Sequence, residues 1–211
     1  MRTNVYVDGF NLYYRAVKGT RYKWLDLSRL CSILLPSYQV NRIRYFTALV
    51  DARVDDPQSR IRQQTYLRAL KTVPNLSIHY GQFRTRRKRT PLVSSGDGVG
   101  AIVEVWDTEE KGSDVNLATY LLIDAFQRDY EQALVISNDS DLALPIRMVR
   151  EQFGLPVGVV NPNLNQTALA PKELSDAATF QRRLRENALR LSQFPPMLTD
   201  AQGTITKPIG W

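Results

Sequence analysis

Two short apolar runs end abruptly in acids. Val5-Tyr6-Val7 gives way to Asp8-Gly9-Phe10-Asn11, and Ala133-Leu134-Val135-Ile136 gives way to Ser137-Asn138-Asp139-Ser140-Asp141. A third acid, Asp114, follows Lys111-Gly112-Ser113 where a helical pattern begins. Two carboxylates about 5 Å apart repel by roughly 3 kcal/mol at an effective dielectric of about 20. Asp8, Asp114, Asp139 and Asp141 gathered at one place would therefore be tolerable only if protonated or bridged by cations. Mg²⁺ or Mn²⁺ answers that need, taking one or two carboxylates and leaving its other positions to water and phosphate oxygens. Such an ion activates water for attack on a phosphodiester. Ordinary roles compete for two of these residues. Asp114 in a first helical turn is favoured by the helix dipole, and Asp141 could cap the helix that begins at Leu142. Asp8, at the end of a buried strand, has no such ordinary role.

The elements that must position these acids read as alternating strands and helices, the signature of an α/β fold with a parallel sheet. Residues 3–8 read as the first strand, 11–17 as a short helix or turn, and Leu25–Leu35 as a helix started by Asp26 or Ser28. Val40–Val50 contains a second strand. Asp56-Pro57 opens a helix with the acid as N-cap, running to about Val73. Leu76–Phe83 is a third strand. Ser113 is the expected cap of the next helix, whose apolar face carries Leu117, Leu121 and Ala125. The run 133–136 is a strand buried on both faces, followed by a helix with Leu142, Ile146, Val149 and Phe153 on one side and Gly154 as its end. Pro156–Val160 is expected to be the last central strand, and Leu174–Leu191 one terminal helix. Ligands of such sheets bind outside the carboxyl ends of the strands, where Asp8, Asp139 and Asp141 would lie. One domain is expected over residues 1–191, with residues 192–211 an extended tail packing through Phe194, Ile205 and Trp211.

The 211 residues carry 28 Lys and Arg against 21 Asp and Glu, a net charge of +7 with a pI near 9.6. A polyanionic partner is the natural inference. Five of the six residues from Arg84 to Arg89 are basic (Arg84, Arg86, Arg87, Lys88, Arg89), on an excursion spanning 84–100 that returns to the acids near Glu110. They are either a solvated hairpin tip or an arm touching phosphates, and Lys111 has the same two readings. The Gly96-Asp97-Gly98-Val99-Gly100 segment has no following helix with dinucleotide-fingerprint spacing. One histidine and one cysteine exclude a zinc site of the usual ligand types. The lone cysteine, Cys31, suits a reducing cytoplasm, and no run of 18 apolar residues suggests a membrane span. His79 reads as a structural residue of a strand.

The stretches VYVDGFNLYY at 5–14, EKGSDVNLATYLLIDAF at 110–126, and ALVISNDSDLALPIRMVRE with GLPVGVVNP at 133–162 resemble the NYN (DUF88, LabA-like) family of the PIN-like nuclease superfamily. The resemblance implies a PIN-like three-layer sandwich, a mostly parallel sheet with helices on both faces. It also implies a Mg²⁺- or Mn²⁺-dependent endoribonuclease. Asp8 would be the first-strand metal ligand with Asn11 as its polar partner, and Asp114 would join from the helix start. Asp139 and Asp141 would complete the cluster, and Ser137 would orient metal or phosphate. The substrate would be single-stranded or structured RNA, cut to leave a 5′-phosphate, and a homodimer would suit the superfamily. Two positions depart from the family pattern: Asn138 where relatives carry glycine, and Tyr120 where they carry Asp or His. These departures imply a weaker metal site or a substrate contact in place of a ligand. The alternative is a catalytically idle RNA- or partner-binding module of the same fold.

Overall fold

The computed structural model describes residues 1–52, 56–92, 101–165, 167 and 169–211. Gly96, Gly98 and Gly100 lie outside the described residues. Six strands form one sheet: β1 (Arg2–Asp8), β2 (Gln39–Thr47), β3 (Leu76–Tyr80), β6 (Gln132–Ile136), β7 (Val157–Asn161) and β8 (Phe180–Arg183). Their order is β3-β2-β1-β6-β7-β8, and every neighbouring pair is parallel. The chain winds outward from β1 to β3 on one side and from β6 to β8 on the other. The β1/β6 junction is thus the point where the strand order reverses.

Side-chain alternation sorts the strands between two cores. Val5, Val7, Leu134, Ile136 and Val160 face one core, packed by α2 (Leu27–Leu34), α3 (Ser59–Leu70) and α7 (Glu186–Leu191). Tyr6, Ala133, Val135, Val157 and Val159 face the other, packed by α4 (Ser113–Phe126), α5 (Ala143–Phe153) and α6 (Lys172–Ala177). The result is the expected three-layer α/β sandwich. Between β1 and α2 lie α1 (Gly9–Leu12) and a π-helical turn, Tyr13–Val17. Cys31 is fully buried on the apolar face of α2.

Several local expectations are corrected. The single helix expected over Leu174–Leu191 is three elements, and Pro156–Val160 is not the last strand. Thr179 donates its amide to Val157 O, and β8 pairs with β7 from Phe180 to Arg183, so the segment between α6 and α7 extends the sheet. Gly158 makes room, because a Cβ there would collide with the Phe180 ring. Asp26, not Ser28, starts α2 by accepting from Arg29 N at 3.1 Å. Asp56 does not cap α3; Gln58 holds that place and Asp56 pairs with Arg62. Ser113 is inside α4 rather than its cap, which is Gly112 at φ +96°. The cap at the start of the β6–α5 turn is Asp139, which accepts from Asp141 N at 3.1 Å. Gly154 ends α5 at φ +68°, as its sequence context suggests.

Between β3 and α4, β4 (Gln82–Pro91) pairs antiparallel with β5 (Ile102–Lys111) as the two arms of a hairpin. It leaves and rejoins the body at two glycines in close approach, with Gly81 Cα about 4.0 Å from where a Cβ on Gly112 would stand. The tail contains a second hairpin, β9 (Met197–Asp200) with β10 (Gly203–Thr206). Phe194 and Ile205 are buried, and Trp211 packs edge-on to Tyr66. Asp200 forks onto Arg68 at 2.8 and 2.6 Å, fixing that hairpin to α3.

Candidate active site

The site grows from the β1/β6 junction, the place where open parallel sheets bind ligands. Asp8 ends β1 and is 5% exposed. One of its oxygens accepts the amide of Asn11 at 2.9 Å, so the same carboxylate caps α1. The other accepts the Ser137 hydroxyl at 2.8 Å. Ser137 follows β6, is fully buried, and its oxygen accepts the Asp139 amide at 3.1 Å. Asn11 Oδ1 in turn accepts the Asn138 amide at 3.1 Å. The turns after β1 and β6 are therefore stitched together by side chains of both, and the carboxylates of Asp8 and Asp139 are held in fixed places.

A cleft of about 430 Å³ opens over these turns, and its walls include Asp8, Asn11, Glu110, Ser113, Asp114 and Asp139. Phe10 and Phe83 form one edge, their rings 5.6 Å apart and nearly perpendicular. Arg15 supplies a cationic group on the wall. Glu110 accepts from the Ser113 amide at 3.2 Å and from its hydroxyl at 2.6 Å. Gly81 permits this arrangement, since a Cβ there would collide with the Glu110 carboxylate.

The acids feel one another. Burial raises the Asp8 pKa above the usual carboxylate range, hydrogen bonds from Asn11 and Ser137 pull it back, and the charges of Asp139 and Glu110 raise it again. Asp114 is pushed up to about 7, by burial first and then by Asp8, Asp139, Glu110 and Asp141. Hard oxygen donors that disfavour each other's charge suit a hard divalent cation. Among the described residues no three His, Cys, Asp or Glu side chains stand close enough to hold one ion as a complete cage. Magnesium asks for less, because it keeps several waters and takes one or two carboxylates.

The structure thus brings Asp8, Asn11, Asp114 and Asp139 to one cleft, with Ser137 bonded behind Asp8. Asp141 is exposed and is not on the cleft wall, although its charge reaches Asp114. Sequence reasoning missed Glu110, whose only local signal was its place three residues before Ser113, and the aromatic edge of Phe10 and Phe83. Tyr120 is outside the cleft, with the Arg44 guanidinium 4.4 Å from its ring and His79 4.1 Å away. His79 is also stacked on Phe46, and burial beside Arg44 lowers its pKa to about 4, which keeps it neutral and structural.

Arg84, Arg86, Arg87, Lys88 and Arg89 all lie on β4 and are exposed. Several are matched across the hairpin: Arg86 is 3.5 Å from both Asp107 and Glu109, and Lys88 is 3.6 Å from Asp107. Lys111 is held by Glu109 at 2.7 Å. Among the described residues no helix is long and apolar enough to cross a membrane.

Comparisons with known proteins agree with this fold. The chain is 30% identical, over an alignment of 237 positions, to the 6-hydroxy-3-succinoylpyridine 3-monooxygenase of Pseudomonas putida, covering all of this chain and 75% of that one. A solved protein of unknown function from Vibrio parahaemolyticus superposes with a TM-score of 0.57 at 16% identity, covering 88% of this chain and 94% of the other, which is a likeness of fold. The family model for the NYN domain matches residues 2–184, and domains of that type are in general nucleases. That match, spanning every strand of the central sheet and the four expected site residues that line the cleft, Asp8, Asn11, Asp114 and Asp139, makes the chain a member of the NYN domain family.

Proposed function

We propose that the protein is a divalent-metal-dependent endoribonuclease acting at the Asp8–Asp139 cleft. The observation that carries this reading is the convergence of Asp8, Glu110, Asp114 and Asp139, from separate segments, on one cleft beside a basic hairpin. One or two of Asp8, Asp114 and Asp139 would bind Mg²⁺ or Mn²⁺ directly and the remainder through its waters, with Glu110 and the exposed Asp141 adding negative charge. The ion supplies Lewis acidity toward a phosphate oxygen and lowers the pKa of water. Ser137 and Asn11 orient Asp8 and the turn after β6, and Arg15 offers positive charge to the substrate phosphate. Water attacks phosphorus, the bond to the 3′ oxygen breaks, and the products are a 5′-phosphate and a 3′-hydroxyl. Arg87 and Arg89, cations of β4 for which no ion pair exists among the described residues and which share the face of Phe83, would meet the RNA, with Arg84, likewise unpaired among those residues, on the opposite face.

A second reading rests on a different cavity. About 220 Å³ in size, it adjoins the cleft through Phe10 and Tyr14, and Tyr45, Tyr66 and Trp211 line it together with Lys23. Aromatic walls with Lys23, beside an Arg62 already paired with Asp56, suit a small ring-bearing acid, a description that fits the substrate in the name of the Pseudomonas putida relative.

The test is incubation of the purified chain with labelled RNA and Mn²⁺ or Mg²⁺, with EDTA and the Asp8→Asn and Asp114→Asn variants alongside. Cleavage is expected only with metal, and each variant should lose at least about a hundredfold in rate. Consumption of 6-hydroxy-3-succinoylpyridine in a parallel incubation supplied with O₂ and a two-electron reductant, with RNA left intact, would install the second reading. Salt-sensitive RNA retention without any cleavage would leave a binding module.

A further inference from the structure

The β4–β5 hairpin has two unlike faces. In its register Arg84 stands opposite Glu109, Arg86 opposite Asp107 and Lys88 opposite Val105, while Phe83 faces Glu110, Thr85 faces Thr108 and Arg87 faces Trp106. Because side chains alternate along a strand, these sets lie on opposite sides. The first side is charge-matched: Arg86 and Lys88 are within 3.6 Å of Asp107, and Arg86 is 3.5 Å from Glu109. The second side begins in the acidic cleft, where Phe83 and Glu110 are part of the wall. It continues outward through the Thr85–Thr108 hydroxyl pair at 2.9 Å and reaches Trp106, whose ring has the Arg87 guanidinium 5.5 Å from its centre. Trp106 is 70% exposed.

An indole that open to water stabilises little by burial, so packing does not account for it. Its position does suggest a use. It stands four residues along the strand from Glu110, about 14 Å at 3.4 Å per residue, a distance that about four stacked nucleotides cover at 3.4 Å each. An exposed indole paired with arginine is what single-stranded nucleic acids stack on. In a duplex the base faces are already covered.

We propose that Trp106 and Arg87 form a stacking platform for a base of single-stranded RNA, a few nucleotides from the phosphate held at the cleft. The proposal rests on reading the cleft as a phosphodiester site. It makes the cleft-side face of the arm a stacking surface, and it assigns unpaired RNA as the protein's preferred substrate.

The test is fluorescence anisotropy of the full chain in EDTA, using a labelled single-stranded oligouridylate and an RNA duplex of equal length. Trp106→Ala should weaken single-strand binding by about tenfold or more, with Trp106→Phe retaining most of the affinity. Val105→Ala, on the other face, should leave it unchanged. Duplex binding should respond little to Trp106→Ala. Equal losses for single strand and duplex, or no loss for Trp106→Ala with the variant's melting temperature unchanged, would overturn the platform. Because the readout is binding without metal, a chain that binds as expected and fails to cut refutes the nuclease reading alone. Cutting that is blind to Trp106 together with unchanged binding refutes the platform alone.

Discussion

Ser137 does two jobs with one hydroxyl, donating to Asp8 and accepting the amide of Asp139. Ser137→Ala should therefore leave the fold intact while loosening the Asp8 carboxylate and the backbone that carries Asp139. Groups that orient metal ligands typically matter by about 10–100-fold in affinity or activity, and that is the loss expected in Mn²⁺ titration and single-turnover RNA cleavage. Retention of full Mn²⁺ affinity by the variant would remove Ser137 from the site. Asp8, Asp114 and Asp139 were legible because each interrupts a pattern: a buried strand that stops at an acid, or a helix start with a carboxylate in its first turn. Glu110 was not, because it sits in an acidic run that looks solvated. Its place on the cleft depends on the contact with Ser113 and on the missing side chain of Gly81. Asp141 reads in sequence like Asp139, yet the 3₁₀ turn at Ser140–Leu142 points it to solvent.

Among the elements, β1, β2 and α4 are joined by a buried group of charges that no motif announces. Arg44 forks onto Asp124 at 2.7 and 2.8 Å, and the Tyr6 hydroxyl donates to the same carboxylate at 2.7 Å. Asp124 is 1% exposed and Arg44 8%. Removing one partner of such a pair strands the other charge, at a cost of about 3–5 kcal/mol. Asp124→Ala should lower the urea midpoint accordingly, whereas an unchanged midpoint would mean that Arg44 finds water. In the sequence Asp124 looks like a surface acid of an amphipathic helix, since its partners lie 80 and 118 residues away. The same blindness to distant pairing hid β8. Leu174, Leu184, Ala188 and Leu189 are all buried and spaced as a helix would space them, but the intervening residues have β7 to pair with. By contrast, β6 and β7, buried along their whole length, were readable as short apolar runs bounded by turns.

At the scale of the molecule, a chain of net charge +7 gathers four acids, Asp8, Glu110, Asp114 and Asp139, into one cleft. The Asp8 and Asp114 pKa values are raised in the fold, that of Asp114 to about 7. The folded state thus holds protons that the unfolded chain has given up. Their stabilising contribution is complete at low pH and disappears as pH rises from the ordinary carboxylate range through about 7. In EDTA the melting temperature should fall between about pH 5.5 and about pH 8. Asp114→Asn should flatten that fall, and Mn²⁺ should restore more stability at the higher pH, because metal and protons compete for the same oxygens. A pH-independent melting curve in EDTA would contradict the crowding. The α/β class, the sheet and its two helical layers followed from the alternation of elements. What separated the two faces of the basic arm was strand register, which composition does not contain.

The arm enters and leaves the body through one doorway, where Gly81 and Gly112 almost touch. Its length is therefore free of the frame around it. Trimming matched pairs of residues from both strands, two by two, would shorten the reach and keep the same side chains turned inward. Removing an odd number would turn the arm inside out and present its neutralised side to the substrate. How far the protein reaches and what it does at the foot of that reach are, in this architecture, separately adjustable by evolution or by an engineer.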